Sequence, residues 1–259
     1  MGGDSSRYRR GMRAILIALL LMVPAVGHAE LYRFENGAYL GAASLMPDWA
    51  GMLTRQQAEQ GAFQRCLEDA QLCDKQYLGV RHVLHKARGL DSDKQIRLVN
   101  RYVNKRRYRR DRSASLDTPL SDGPQKYRSR WSTPGEFFKR GGDCEDFVTT
   151  KYFLLRELGF SADELRVVVT WDRQANGYHA ILAVARTGGD VWLLESDNSI
   201  RRRRHHDYRF IYALNEDSVW DHENPAPAAT QPATVSTPVA LSTSTNDTAK
   251  ETAPTEATL

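Results

Sequence analysis

The stretch Gly141-Gly142-Asp143-Cys144-Glu145-Asp146 places a cysteine among three carboxylates. A nucleophilic cysteine must ionise, and nearby negative charge opposes that. Such a thiol is either inert or has something positive beside it. Cys144 is expected at or near a helix N-terminus, where unpaired backbone N–H groups and the helix dipole favour a thiolate. Those N–H groups could also form part of an oxyanion hole, and Gly141 and Gly142 would leave the approach open.

A nucleophilic thiol needs a base, and the base needs an orienting group. His179 begins the apolar run Tyr178–Val184, just after an Asn176-Gly177 turn signal, and a second β run, Trp192 onward, ends in Asp197. If the two runs pair through Gly188-Gly189, His179 and Asp197 are equidistant from the loop centre and near one end of the hairpin. Cross-strand neighbours on one face can share a hydrogen bond. The sequence therefore offers Cys144 as nucleophile, His179 as base and Asp197 as orienting acid. Each also has a plainer reading: a buried inert cysteine, a structural histidine, Asp143 as a helix cap, and Glu145 and Asp146 as favourable first-turn acids.

The surrounding pattern predicts an α+β arrangement, helices first and then a meander of antiparallel strands. Asp91 and Ser92 cap a helix that carries Ile96, Val99 and Val103 on one face and ends in a run rich in arginine and lysine. Residues 113–130 read as a long loop containing Asp122-Gly123-Pro124. Asp143–Leu158 reads as a helix with a broad apolar face, closed by Gly159. Strands are predicted over Arg166–Trp171, Tyr178–Arg186, Asp190–Glu195 and Asp207–Leu214.

The two ends of the 259-residue chain do not look like fold. Residues 1–29 carry a basic segment, an apolar run from Ala14 to Val26 and a small-x-small site at Gly27-His28-Ala29, the pattern of a cleavable secretory signal peptide. Without that segment, which holds four arginines and one acid, the formal charge falls from +4 to about +1, so the basic balance argues little for nucleic acid. Residues 224–259 are dominated by Pro, Ala, Thr and Ser and read as a disordered tail. One domain, residues 30–223, remains.

Export makes the cysteines informative. In one continuous helix, Cys66 and Cys73 would have their Cα atoms about 10.5 Å apart. A bridge needs less than about 7 Å. A disulfide between them therefore requires the helix to break, for example near Gln71. Cys144 is left as a free thiol.

Taken together, NRYVN (100–104), WSTPGEFFKRGGDCEDFVTTKYFLLRELGF (131–160), YHAILAV (178–184) and LLESDN (193–198) resemble the bacterial transglutaminase-like cysteine proteinases, and within them the LapG-type periplasmic proteases. The resemblance implies a papain-like, transglutaminase-type fold with a Cys144–His179–Asp197 triad. It also implies calcium, held by Asp143 and Glu145 with Asp146, which would supply the missing positive charge. Asp122 is a further candidate ligand outside the family pattern. The implied substrate is a large surface adhesin, cut near its N-terminus at an Ala-Ala pair. The implied inhibitory partner is an inner-membrane receptor for cyclic di-GMP. Ser196 and the Tyr127-Arg128-Ser129-Arg130 segment depart from the family pattern. The run Arg201–Arg204 with His205-His206 reads as a solvated turn, or else as a contact for an acidic partner or an anionic membrane surface. Two rival readings remain: an amide transferase or amidase using the same residues, and a non-catalytic periplasmic binding module.

Overall fold

A computed structural model describes residues 31–110, 130–201 and 207–224. The proposed signal peptide, Asp122, residues 202–206 and the Pro/Ala/Thr/Ser-rich tail lie outside the described residues. A short strand β1 (Ala38–Ala42) precedes three helices, α1 (Pro47–Glu68), α2 (Leu78–Arg88) and α3 (Ser92–Val103). Two more follow residue 130, α4 (Pro134–Arg140) and α5 (Cys144–Glu157). The remaining strands are β2 (Leu165–Asp172), β3 (Gly177–Ala185), β4 (Val191–Leu194), β5 (Ile200–Arg201), β6 (Tyr208–Leu214) and β7 (Ser218–Asp221).

The strands form one antiparallel sheet in the order β1-β7-β6-β2-β3-β4-β5. The expected meander holds from β2 to β5. Strand β6 then crosses back to pair with β2, with Thr170 opposite Phe210. Both outer strands on that side, β1 and β7, were not anticipated. They are short, and β1 is a mostly exposed edge whose side chains do not alternate cleanly between core and solvent.

Alternation along β3 divides the core. Ala180, Leu182 and Val184 face the helices together with Trp192 and Leu194, whereas Ile181 and Ala183 face away with Leu193, Tyr208 and Phe210. Tyr32 and Phe34 from the chain before β1 cover that second face. A period of two is all this division requires.

Helix α5 is the central element. It is buried from Glu145 through Tyr152, and it packs on β2 and β3 on one side and on α3 and α4 on others. A helix surrounded in this way carries few exposed positions, which explains its apolar composition beyond the first turn. Helix α3 begins where the cap signal placed it, with the Asp91 side chain accepting from Lys94 N at 2.9 Å.

Helix α1 stops at Glu68, and a single 3-10 turn, Ala70–Leu72, reverses the chain. That break brings the Cα atoms of Cys66 and Cys73 to 4.2 Å, and the disulfide forms. Closing so short a loop should stabilise the fold by about 2 kcal/mol through the entropy of the unfolded chain. We expect the Cys66→Ser/Cys73→Ser variant to show that loss in urea unfolding with an unchanged fold by circular dichroism.

Candidate active site

Cys144 is the first residue of α5, and two glycines before it shape the entry. Gly141 has φ of +75°, and a Cβ there would lie 2.2 Å from the carbonyl oxygen of Arg107. A Cβ on Gly142 would lie 2.0 Å from an Asp146 carboxylate oxygen. Gly141 is needed because the chain at 107–109 crosses closely, Arg109 N donating to Gly142 O at 2.8 Å, and Gly142 because the Asp146 side chain folds back over it. The glycines thus admit protein atoms rather than leaving an open approach.

The thiol is held between α5 and β3. Cys144 Sγ donates to Glu145 Oε2 at 3.2 Å and receives the backbone N–H of Ala180, the residue after His179. The nucleophile candidate therefore touches β3 immediately beside the base candidate. Burial pushes the thiol pKa well above its usual value, and the charge of Glu145 and then Asp143 adds to that, against the weaker pull of the Ala180 N–H. The helix N-terminus does not prevail here. In this charge arrangement the group is a thiol, not the expected thiolate.

His179 does not meet Asp197. Its Nε2 lies 2.8 Å from Glu195 Oε2, and the Glu195 side chain is 3 % exposed. The register explains the difference. Leu182 pairs with Leu194, and continuing that ladder would indeed place His179 opposite Asp197. Strand β4 ends at Leu194, however, and residues 195–198 turn towards β5, with Asn198 in the left-handed region at φ of 74°. Asp197 sits in that turn and accepts from Ser199 N at 2.8 Å. Glu195, the first residue past the strand, takes the place expected for Asp197. The Ser-Asp-Asn turn signal at 196–198 was the available clue that the strand stops early.

Glu195 also accepts from Arg201 Nε and from Tyr208 Oη, each at 2.8 Å. Burial would raise its pKa, but the hydrogen bonds from His179 and Tyr208 and the charge of Arg201 more than offset this and hold it below the ordinary carboxylate value. An ionised carboxylate only accepts, so His179 Nε2 carries the proton. The other ring nitrogen, Nδ1, is then the one without a proton.

The three acids of the Cys144 turn divide. Asp143 and Glu145 interact directly, and burial followed by the Asp143 charge raises the pKa of Glu145. Asp146 turns the other way: Oδ1 accepts from Ser132 N at 2.6 Å and Oδ2 from Asp143 N at 3.3 Å. It lines a cavity of about 230 Å³ whose other walls include Arg109, Arg110, Arg130 and Arg140. Four guanidinium groups disfavour a cation on that side. Among the described residues no group of three His, Cys, Asp or Glu side chains is gathered as a metal site. Of the three expected carboxylates, Asp143 and Glu145 are in contact and Asp146 is turned to its backbone donors.

Comparison with known proteins agrees with this architecture. The sequence pattern of the bacterial transglutaminase-like cysteine proteinases matches residues 54–222. The chain belongs to that family. It is a cysteine protease with a transglutaminase-like fold. Calcium-bound LapG of Legionella pneumophila is similar in fold, with a TM-score of 0.51, 23 % identity, and coverage of 66 % of this chain and 93 % of that one. A second Legionella pneumophila LapG structure gives a TM-score of 0.51 and 23 % identity, covering 62 % of this chain and 88 % of that one. No curated protein matches the sequence.

Two outcomes test the site. Glu195→Gln should lower kcat/KM for proteolysis by at least about a hundredfold, whereas Asp197→Asn should stay within a few-fold of wild type. The Glu195 pKa is depressed in the fold, so its stabilising effect is present above the unfolded carboxylate pKa of about 4.3 and is lost as pH falls through the lower folded value. The stability difference between wild type and Glu195→Gln, read by urea unfolding, should therefore be large at pH 7 and shrink steadily below pH of about 4.

Proposed function

We propose that the chain is a calcium-dependent cysteine endopeptidase of the periplasm that cuts the N-terminal region of a large surface adhesin, at an Ala-Ala pair, and so controls attachment and dispersal of biofilms. The observation that carries the catalytic part is that Cys144 Sγ receives the backbone N–H of Ala180, the residue next to His179, whose Nε2 meets the buried Glu195. Glu195 holds His179 with its Nε2 protonated. Nδ1 removes the Cys144 proton as Sγ attacks the scissile carbonyl carbon. The same proton passes to the leaving amine, and water then hydrolyses the thioester with His179 again acting as base. The N–H groups of Cys144 and Glu145, which open α5, would stabilise the oxyanion.

Calcium enters through the donor chemistry of the site and through the calcium-bound state of the Legionella LapG relative. Two buried carboxylates in contact suit a hard divalent cation, which takes oxygen ligands. Asp143 and Glu145 would hold it, with main-chain oxygens and water completing the shell. Asp146 is left to its backbone donors and the arginine-lined cavity. A bound cation would supply positive charge beside the thiol and reverse the local electrostatics that now keep it protonated.

The periplasmic assignment rests on the signal-like N-terminal sequence and on the Cys66–Cys73 disulfide, which fits an oxidising compartment. Among the described residues no helix is long and apolar enough to cross a membrane. The adhesin substrate and an inhibitory inner-membrane cyclic di-GMP receptor follow from the likeness to LapG-type proteases.

The purified mature protein, incubated with the N-terminal region of a large adhesin from the same genome, should release one discrete fragment in calcium and none in chelator or with Cys144→Ala. Incorporation of an amine without cleavage would instead establish the amide-transferase reading. By calorimetry, Asp143→Asn and Glu145→Gln should each lose calcium binding, while Asp146→Asn should retain it. Wild-type calcium affinity in Glu145→Gln would remove that residue from the site.

A further inference from the structure

The main chain of Glu195 is held from two sides by polar side chains that take no direct part in the chemistry. Its carbonyl oxygen accepts from Lys151 Nζ of α5 at 2.6 Å and from Nδ2 of Asn104, the C-terminal cap of α3, at 2.8 Å. Asn104 Nδ2 also donates to Asn100 Oδ1 at 3.1 Å, and Asn100 Nδ2 donates to Asn198 O at 3.2 Å. Helix α3 thus grips both ends of the 195–198 turn through two asparagines one helical turn apart, and α5 adds a lysine. Within the turn, Glu195 N donates to Ser199 O at 3.1 Å, which closes it.

We propose that Asn104 and Lys151 are positioning residues, which draw the chain out of the β3–β4 ladder at Glu195 so that its carboxylate, and not that of Asp197, meets His179. The inference rests on the reading of His179 as the catalytic base. Its physical argument is the fate of one carbonyl. The last ladder pair is Leu182 with Leu194, and the next carbonyl in the chain is the one that Asn104 and Lys151 take. Once that oxygen is directed at the helices, the strand cannot continue in register. The Glu195 side chain is left at the strand end, facing His179 on β3, Arg201 on β5 and Tyr208 on β6.

The identity of Lys151 supports the same conclusion. It has no exposed surface. An unbranched apolar side chain would pack in that space without the desolvation that a buried amine suffers. Burial lowers the Lys151 pKa to about 7, against the opposing pull of Glu195 and Asp197. Protonated or neutral, the nitrogen still donates to the Glu195 carbonyl. The asparagines explain why the 100–104 segment, remote in sequence from the nucleophile, belongs to the site.

The His179 Nε2–H proton, followed by NMR on the full protein, tests the proposal in Glu195→Gln, Asn104→Leu and Lys151→Met. Held on the Glu195 carboxylate, it should give a downfield resonance protected from solvent exchange. Glu195→Gln should move that resonance upfield and speed its exchange by at least about tenfold. Asn104→Leu and Lys151→Met should each shift it in the same direction by about half as much, and neither should add to Glu195→Gln in the double variants. The melting temperature of Lys151→Met should stay unchanged or rise, which separates positioning from simple structural support. A shift in Glu195→Gln with a wild-type resonance in both Asn104→Leu and Lys151→Met would overturn the proposal alone. A wild-type resonance in Glu195→Gln would overturn the His179–Glu195 contact and the catalytic reading with it.

Discussion

Glu195 is where five elements of the fold meet. Its carboxylate receives His179 from β3, Arg201 from β5 and Tyr208 from β6, and its carbonyl receives Asn104 from the C-terminal cap of α3 and Lys151 from α5. A buried carboxylate without such partners would be driven towards its neutral form. Here the partners win, and the charge that remains fixes both the tautomer and the direction of the His179 ring. The helical layer and the sheet are thereby locked at the point where chemistry is to occur.

A second electrostatic problem sits at Cys144, beside the strand that carries His179. Cys144 opens α5, a place that ordinarily favours a thiolate, yet burial and the adjacent carboxylates hold it protonated. The two effects act over the same few ångströms, and a full charge outweighs the partial charge of a helix end. Burial is the larger cause of the raised thiol pKa, and a cation on Asp143 and Glu145 would reverse the carboxylate contribution that adds to it. On the proposed reading, the acids around the nucleophile would act as a control on its reactivity, with the metal as the switch.

Much of this could be read in the chain. The helix starting at Asp91, the helix carrying Cys144, the strand of His179 and the need for a break between Cys66 and Cys73 follow from caps, periodicity and distance, and the structure places them there. The hairpin register was also legible, since the pairing of β3 with β4 does run about the Gly188-Gly189 turn. The point at which the register stops was not. That depends on a carbonyl captured by side chains 44 and 91 positions away, a tertiary interaction with no local signal. For the same reason Asp197 looked like the orienting acid and Glu195 like an ordinary strand residue. Strands β1 and β7 were missed because the first is a mostly exposed edge and the second is only four residues long, so neither leaves much alternation to read. The direction of Asp146 follows from its bond to Ser132, which no spacing rule encodes.

The central claim is that the thiol of Cys144 is silent until positive charge reaches its two acidic neighbours. The most direct measurement is the rate of Cys144 alkylation by iodoacetamide as a function of pH, on the purified protein, in calcium and in chelator, with the modified residue identified by mass spectrometry. The account predicts slow alkylation near neutral pH in chelator and a rise of at least about tenfold on adding calcium. A rate that is already fast in chelator, or that ignores calcium across the whole titration, would contradict it.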